Sequence, residues 1–290
     1  MEKKLGDSEL IVNPDGSIYH IKLREEHVAD NVIVVGDPNR VKLVSSFFNK
    51  VEHTIENREF YTHTGEYKGK RVTVLSTGIG TDNIDIVVNE LDAAVNIDLR
   101  NRTVKPDKRK LNIIRIGTSG ALQEDIPVDS FLLSEYGLGF DGVLHFYDYS
   151  KDVFQQQFEE AFVQHTAWHP DLAKPYIFKS GEALFNKLKS EQVNTGITAT
   201  ANGFYGPQGR ELRLKIKSND LNRKLISFRF RGMRITNFEM ETSALYGLSS
   251  LLGHNSVTVC AIIANRLRQE YSKDYKQTVR ELIEYVLEKI

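Results

Sequence analysis

The segment Gly203-Phe204-Tyr205-Gly206-Pro207-Gln208-Gly209-Arg210 sets an aromatic ring, a primary amide and a guanidinium in one Gly- and Pro-rich loop. Phe204 offers a face that can stack on a flat ring. Gln208 carries both a donor and an acceptor, so it can match an imide edge such as the O2/N3–H edge of a pyrimidine. Arg210 carries donors only, which suits carbonyl oxygens on which negative charge collects. Together they read as a site for a pyrimidine-type base that leaves as an anion. An ordinary polar turn has the same composition, and the loop alone does not choose between the two.

Other groups cluster where apolar runs end. Gly36 follows Val32–Val35, and Arg40 comes four residues later. Arg115 closes the run Leu111–Ile116 and precedes Gly117, Thr118, Ser119 and Gly120. A guanidinium, a hydroxyl and glycine-exposed N–H groups make an anion cradle. Taken alone, Arg115 reads more readily as half of a buried salt bridge. Two Arg-plus-Gly junctions in one sheet favour phosphate. The chain has no Gly-x-x-x-x-Gly-Lys-Ser/Thr and no Gly-x-Gly-x-x-Gly after a strand, which excludes a P-loop and a dinucleotide fingerprint. In Asn237-Phe238-Glu239-Met240-Glu241-Thr242, two carboxylates flank a methionine. Glu241 can accept from two vicinal hydroxyls, as in a grip on a ribose, with Met240 against the sugar's apolar face. An acidic helix start, favoured by the helix dipole, explains the same residues.

These groups need strands and helices to hold them. Val32–Val35, Val72–Leu75, Leu111–Ile116 and Ser256–Ile263 are apolar and β-branched, as in strands buried on both faces. Ile84–Ala94 and Thr242–Leu252 read as helices. Val279, Leu282, Ile283, Val286, Leu287 and Ile290 form one stripe of a C-terminal amphipathic helix. The alternation predicts an α/β protein with a mixed, largely buried central β-sheet flanked by helices. In such sheets ligands bind beyond the carboxyl ends of the strands. Asn101–Lys110 reads as a polar, basic excursion, and the absence of interleaved aromatics argues against a nucleic-acid patch. Phe146–Trp168 is aromatic-rich and acidic and suggests no function.

Composition narrows the class. The 290 residues include 38 basic and 39 acidic side chains, a net charge of −1. No basic field argues for nucleic acid or an anionic membrane. Hydrophobic residues make up 40%, enough for a sizeable core. The polar Met1–Leu10 stretch lacks a secretory signal, and no apolar run is long enough to span a bilayer. One cysteine, Cys260, allows no intrachain disulfide and fits a reducing compartment. The histidines and Cys260 show no metal-ligand spacing, so no metal is expected. These features predict a cytoplasmic protein.

Base reader, ribose grip and phosphate cradle imply a nucleoside and a phosphate meeting in one cleft. The chain resembles the nucleoside phosphorylases of the hexameric type, and among them the uridine phosphorylases. The matching motifs are Gly36-Asp37-Pro38-Asn39-Arg40, Arg58-Glu59-Phe60, Ser76-Thr77-Gly78-Ile79-Gly80, Arg115–Gly120, Phe204–Arg210, Asn237–Thr242 and Asn265-Arg266. They keep the family's order along essentially the whole chain. The resemblance implies a single three-layer α/β/α domain over residues 1–290 and phosphate as co-substrate, with no cofactor. It assigns phosphate to Gly36, Arg40, Arg115 and Thr118, with Arg58 reaching into a neighbouring subunit. It assigns ribose to Met240, Glu241 and, across the same interface, His20. Phe204, Gln208 and Arg210 take the base, with Arg266 in support. Two donated residues require at least a dimer, and the resemblance suggests a hexamer built as a trimer of dimers.

The expected reaction is phosphorolysis of uridine to uracil and ribose 1-phosphate, with Arg115, Gln208 and Arg210 as its catalytic groups. A purine nucleoside phosphorylase is the main rival. Purine enzymes of the family carry an Asp where this chain has Asn265, and an amide cannot protonate a leaving purine. A nucleosidase using water would have no use for Arg40, Arg58 and Arg115 together. A nucleoside-binding protein without turnover would not need the full motif set. The Asn101–Lys110 excursion and the segment from Phe146 to Asn186 depart from the family pattern.

Overall fold

The computed structural model describes residues 4–218 and 220–290, so the start of the Met1–Leu10 stretch lies outside the described residues. The chain forms a 12-stranded mixed sheet with helices packed on both faces, as the sequence pattern predicts. Its centre is parallel: Lys70–Ser76, Asn31–Val35, Asn112–Ala121 and Asn255–Asn265 lie side by side. Alternation along these strands assigns each face its core. Val32, Val34 and Ile113 pack under the helices Thr81–Asn96 and Thr242–Leu252, through Ile84, Leu91 and Leu245. Ile33, Val35, Ile114 and Ile116 face the helices Pro38–Ser45 and Tyr275–Lys289, through Val41, Leu282 and Ile283. Among the described residues, no helix is long and apolar enough to cross a membrane.

One half of the sheet closes on itself. Asn112–Ala121 pairs with Asn255–Asn265, then follow Phe131–Gly139, Val193–Thr200 and Met233–Glu239. Met233–Glu239 pairs back, antiparallel, onto Asn112–Ala121, with Asn237 opposite Ala121 and Phe238 opposite Gly120. Asn237 Nδ2 donates to Ser119 Oγ at 2.9 Å, a buried bond that pins this closure. The closure carries Glu239, Met240 and Glu241 to the strand that bears Arg115 and Thr118.

Two local expectations change, and the Gly-Asp-Pro junction takes a definite form. Arg115 does not end a strand. The Asn112–Ala121 strand continues through Gly117, Thr118, Ser119 and Gly120, because Asn255–Asn265 pairs with it along that whole length. Gly-Asp-Pro is a helix start: Asp37 accepts from Asn39 N at 2.9 Å and Pro38 takes the first helical position. The Asn101–Lys110 excursion is tied down: Arg102 meets Asp7 and Leu10 O, Lys105 meets Glu25 and Val95 O, and Arg109 meets Asp30 and Val28 O. The aromatic segment forms a helix, Val153–Thr166, whose Phe158 and Phe162 pack with Phe140, Phe228 and Trp168. Phe158 and Phe162 are core residues, Phe154 and Trp168 pack against them, and Phe146 is exposed.

Candidate active site

Nine of the twelve proposed site residues line one cavity of about 1010 Å³: Gly36, Arg40, Arg115, Thr118, Phe204, Gln208, Arg210, Met240 and Glu241. Arg266 lies behind Gln208, while His20 and Arg58 are absent from the lining.

On the floor, Arg115 is buried and forms the salt bridge that its strand position suggested. Its Nη2 donates to Glu241 Oε2, and its Nη1 lies 3.3 Å from Glu239 Oε2. Nη1 also points at Cys260 Sγ, 3.6 Å away. The guanidinium folds back along its own strand over Gly117, where a Cβ would collide with it. Burial works against the Arg115 charge, but Glu241 and Glu239 together hold its pKa above the ordinary range. Burial, reinforced by Glu239, raises the Glu241 carboxyl above its ordinary value against the pull of Arg115. Burial likewise pushes the Cys260 thiol up to about 11.

The two carboxylates divide their work. Glu239 accepts from Thr242 N and from Glu241 N at 2.9 Å, so it caps the helix Thr242–Leu252. Thr200 Oγ1 donates to it at 2.6 Å. The helix-start explanation therefore belongs to Glu239. Glu241 makes no cap bond and instead accepts from Gly80 N at 2.8 Å. With Met240 it faces the cavity, a geometry open to sugar hydroxyls.

Arg40 differs from Arg115. Its recorded protein bond runs from Nη1 to Ile116 O at 3.3 Å, and it has no ion pair among the described residues. Burial, then the neighbouring Arg115 charge, holds its pKa down. A cation in that state gains from an incoming anion.

At the other recognition element, a short turn closes on the bonds from Gln208 N and Arg210 N to Tyr205 O. Gly209 completes it at φ +70, in the left-handed region. Gln208 is buried, and its Oε1 accepts from Arg210 Nη1 at 2.7 Å and from Arg266 Nη2 at 3.3 Å. Arg266 Nη1 also donates to Gln208 O. The expected dual reading by Gln208 is thus narrowed: its acceptor is held by two guanidinium groups, and its Nε2–H donors remain. Arg210 stacks on Phe204, 3.8 Å from ring centroid to guanidinium carbon, so one face of the expected stacking ring is occupied. Burial lowers the Arg210 pKa, and burial followed by Arg210 lowers Arg266 to about 10.

Asn265 does not line the cavity. Its Nδ2 donates to Gln123 O at 2.9 Å and Ile126 O at 2.8 Å, while Oδ1 accepts from Leu267 N and Arg268 N. It serves as a buried loop pin, and the inference that placed it at the base is corrected accordingly.

The phosphorylase superfamily model matches residues 30–289. The chain belongs to the phosphorylase superfamily. Its similarity to the uridine phosphorylase of Thermococcus kodakarensis is 31% identity over 94% of this chain and 86% of that one. A DeoD-type purine nucleoside phosphorylase of Brevibacillus brevis is 29% identical over 93% of this chain and 97% of its own. Among solved structures, a Trypanosoma brucei nucleoside phosphorylase described as showing uridine phosphorylase activity superposes with a TM-score of 0.88. It is 29% identical and covers 96% of this chain and 98% of its own.

Within this superfamily member, the half-buried His20 lies near the exposed Arg58. Asn57 Nδ2 donates to His20 O at 2.7 Å, and the Arg58 guanidinium lies 5.4 Å from the Tyr19 ring centre. His20 Nδ1 is 2.6 Å from Glu90 Oε1. Glu59 and Ile79, which fall within the matching motifs without an assigned role, line the cavity, as do Asn83 and Tyr271, which sequence reasoning did not single out. The exposure of Asn83 and Tyr271 at the cavity depends on the fold, and no spacing pattern marks them.

Proposed function

We propose that the chain catalyses reversible phosphorolysis of a pyrimidine nucleoside, uridine and phosphate giving uracil and ribose 1-phosphate. One observation carries the reading. The cavity that holds Glu241 also carries Arg40 beside Arg115 and, at its other end, Arg210, with Arg266 behind Gln208; of these four, only Arg115 pairs with a carboxylate among the described residues. Each end gains when an anion arrives. Phosphate satisfies Arg40, Arg115, Thr118 and the backbone at Gly36. The departing uracil satisfies Arg210 and the Gln208 amide.

The C1′–N1 bond breaks with its electron pair passing to the base. A phosphate oxygen forms the new bond at C1′. Glu241 holds the ribose hydroxyls, with Met240 on the sugar. Uracil leaves as an anion and takes its proton from water. Arg266 acts through Gln208, as a positioning residue. The donor-only base end gives no acid for N7 of a purine, so the pyrimidine reading is preferred although purine phosphorylases are also relatives.

The reading includes an oligomer. Arg58 is exposed beside Glu59 on the cavity rim. A two-fold related copy docked at this rim would place its Arg58 and His20 over this cavity and receive the same pair in return. A hexamer is three such dimers. We read residues 1–290 as one domain, because the cavity draws on residues from the first parallel strand to beyond the last. We place the protein in the cytoplasm, with phosphate as co-substrate and no cofactor.

Incubation with a nucleoside panel, with and without phosphate, tests the reaction. Phosphate-dependent release of uracil is expected. Base release without phosphate would indicate a hydrolase, and faster release from purine nucleosides would overturn the pyrimidine assignment.

A further inference from the structure

We propose that Tyr271 provides the aromatic face against which the base packs. The inference rests on the nucleoside reading above and names a contact that reading does not contain. Phe204, the ring expected to stack, already carries Arg210 on one face and meets Tyr205 edge-on at 5.3 Å. Tyr271 lines the same cavity as Gln208, Arg210 and Ile263, and 62% of it is exposed. Its aromatic neighbour, Tyr275, lies edge-on at 6.4 Å, which leaves the faces of Tyr271 clear of other rings.

The backbone beneath it is fixed. Glu270–Tyr271 pairs antiparallel with the end of Asn255–Asn265, Tyr271 opposite Ala264. Ser272 N donates to Ile263 O at 2.8 Å, and Ser272 Oγ donates to Asp129. This hairpin also carries Arg266, which holds Gln208. One element therefore sets both the edge and the face presented to a base. A flat, polarisable ring on a fixed strand gains from stacking, whereas the same ring left exposed buries little of its apolar face.

Steady-state kinetics of the full chain test this with Tyr271→Phe, Tyr271→Leu and Tyr271→Ala. The Ala and Leu variants should raise the uridine KM by roughly tenfold or more, the range of a lost base–aromatic stack. The phosphate KM should stay within about twofold, and Tyr271→Phe should match the parent. Equal KM values for Ala and parent would overturn the proposal. So would equal damage in Phe and Ala, since the hydroxyl would then matter and not the ring. Calorimetric binding of uracil to the parent, Phe and Leu variants gives the same comparison without turnover. If the parent binds uracil but does not release it from uridine, the reaction assigned above fails while the stacking claim is still decided. If uracil binds neither, or binds Leu as well as parent, the stacking claim fails.

Discussion

Arg115 and Glu241 lie 126 residues apart and meet as a buried ion pair on the cavity floor. Such a pair adds little net stability compared with apolar residues of the same size, yet removing one partner costs roughly 3–5 kcal/mol. On the proposed reading, its use is to hold a carboxylate aimed at the sugar. Burial, with Glu239, raises the Glu241 carboxyl above its ordinary 4.5. On that reading, protonation removes the acceptor that the ribose hydroxyls need.

The acid limb of nucleoside kcat/KM should therefore appear above pH 4.5 and disappear in Glu241→Gln. The variant should lose about 10²-fold in kcat/KM, the scale of one lost transition-state bond in a dry site. A pH–rate profile of parent and variant checks both. An unchanged acid limb in the variant would assign the titration to another group.

Arg40 has a backbone carbonyl as its recorded partner. Phosphate should therefore stabilise the protein through this residue. At a hundredfold excess over Kd, one bound ligand adds about 2.7 kcal/mol. Thermal unfolding should show a rise of several degrees with phosphate, lost in Arg40→Ala, whose phosphate KM should rise at least about tenfold. The nucleoside KM should change much less.

Arg210→Ala should reduce turnover by about 10²–10³ with little change in phosphate binding. Arg266→Ala tests positioning. It frees Gln208 without removing a group from the cavity, so the uridine KM should rise and Gln208→Ala should add little in the double variant. Additive losses would show that Arg266 acts independently of Gln208.

The parts of this site differ in how far the sequence reveals them. Val32–Val35 and Ser256–Ile263 announce buried strands because both faces are covered and nearly every position is apolar. Gln208, Arg210 and Glu241 stand out in the sequence because a polar group in a Gly-rich loop or at a helix start can serve a ligand as well as the fold, and the structure brings all three to one cavity. The closure of Met233–Glu239 onto Asn112–Ala121 is not legible, since strand order depends on long-range pairing that leaves no local pattern. The division between Glu239 and Glu241 follows from that closure, and so it escapes the sequence as well. Tyr271 is hidden for a different reason: one exposed aromatic in a polar turn looks like any other.

Arg58 should act on the neighbouring subunit. Arg58→Ala and Arg210→Ala should each be weakly active alone. After unfolding and refolding an equal mixture, half the dimers are mixed, and each has one intact cavity. Activity should return to roughly a quarter of the parental value. No recovery would place Arg58 in its own subunit's site or outside the site altogether.

Asn265 offers a test in which fold and chemistry part. An Asp at this position would look like the acid that purine phosphorylases use. In this structure the side chain is buried at 1% exposure, donates to Gln123 O and Ile126 O, and accepts from Leu267 N and Arg268 N. Asn265→Asp keeps the two acceptor bonds but turns its second oxygen toward two carbonyls. The charged form loses both donations and buries a charge, and the protonated form can restore only one of them. The variant should be destabilised by roughly 2–4 kcal/mol, read as a lower urea midpoint at unchanged m. Inosine and adenosine should remain poor substrates, because the carboxyl would point into the Gln123–Ile126 loop and away from the cavity. A stable variant that cleaves purine nucleosides would show that this side chain can turn toward the base, and would return the purine alternative to first place.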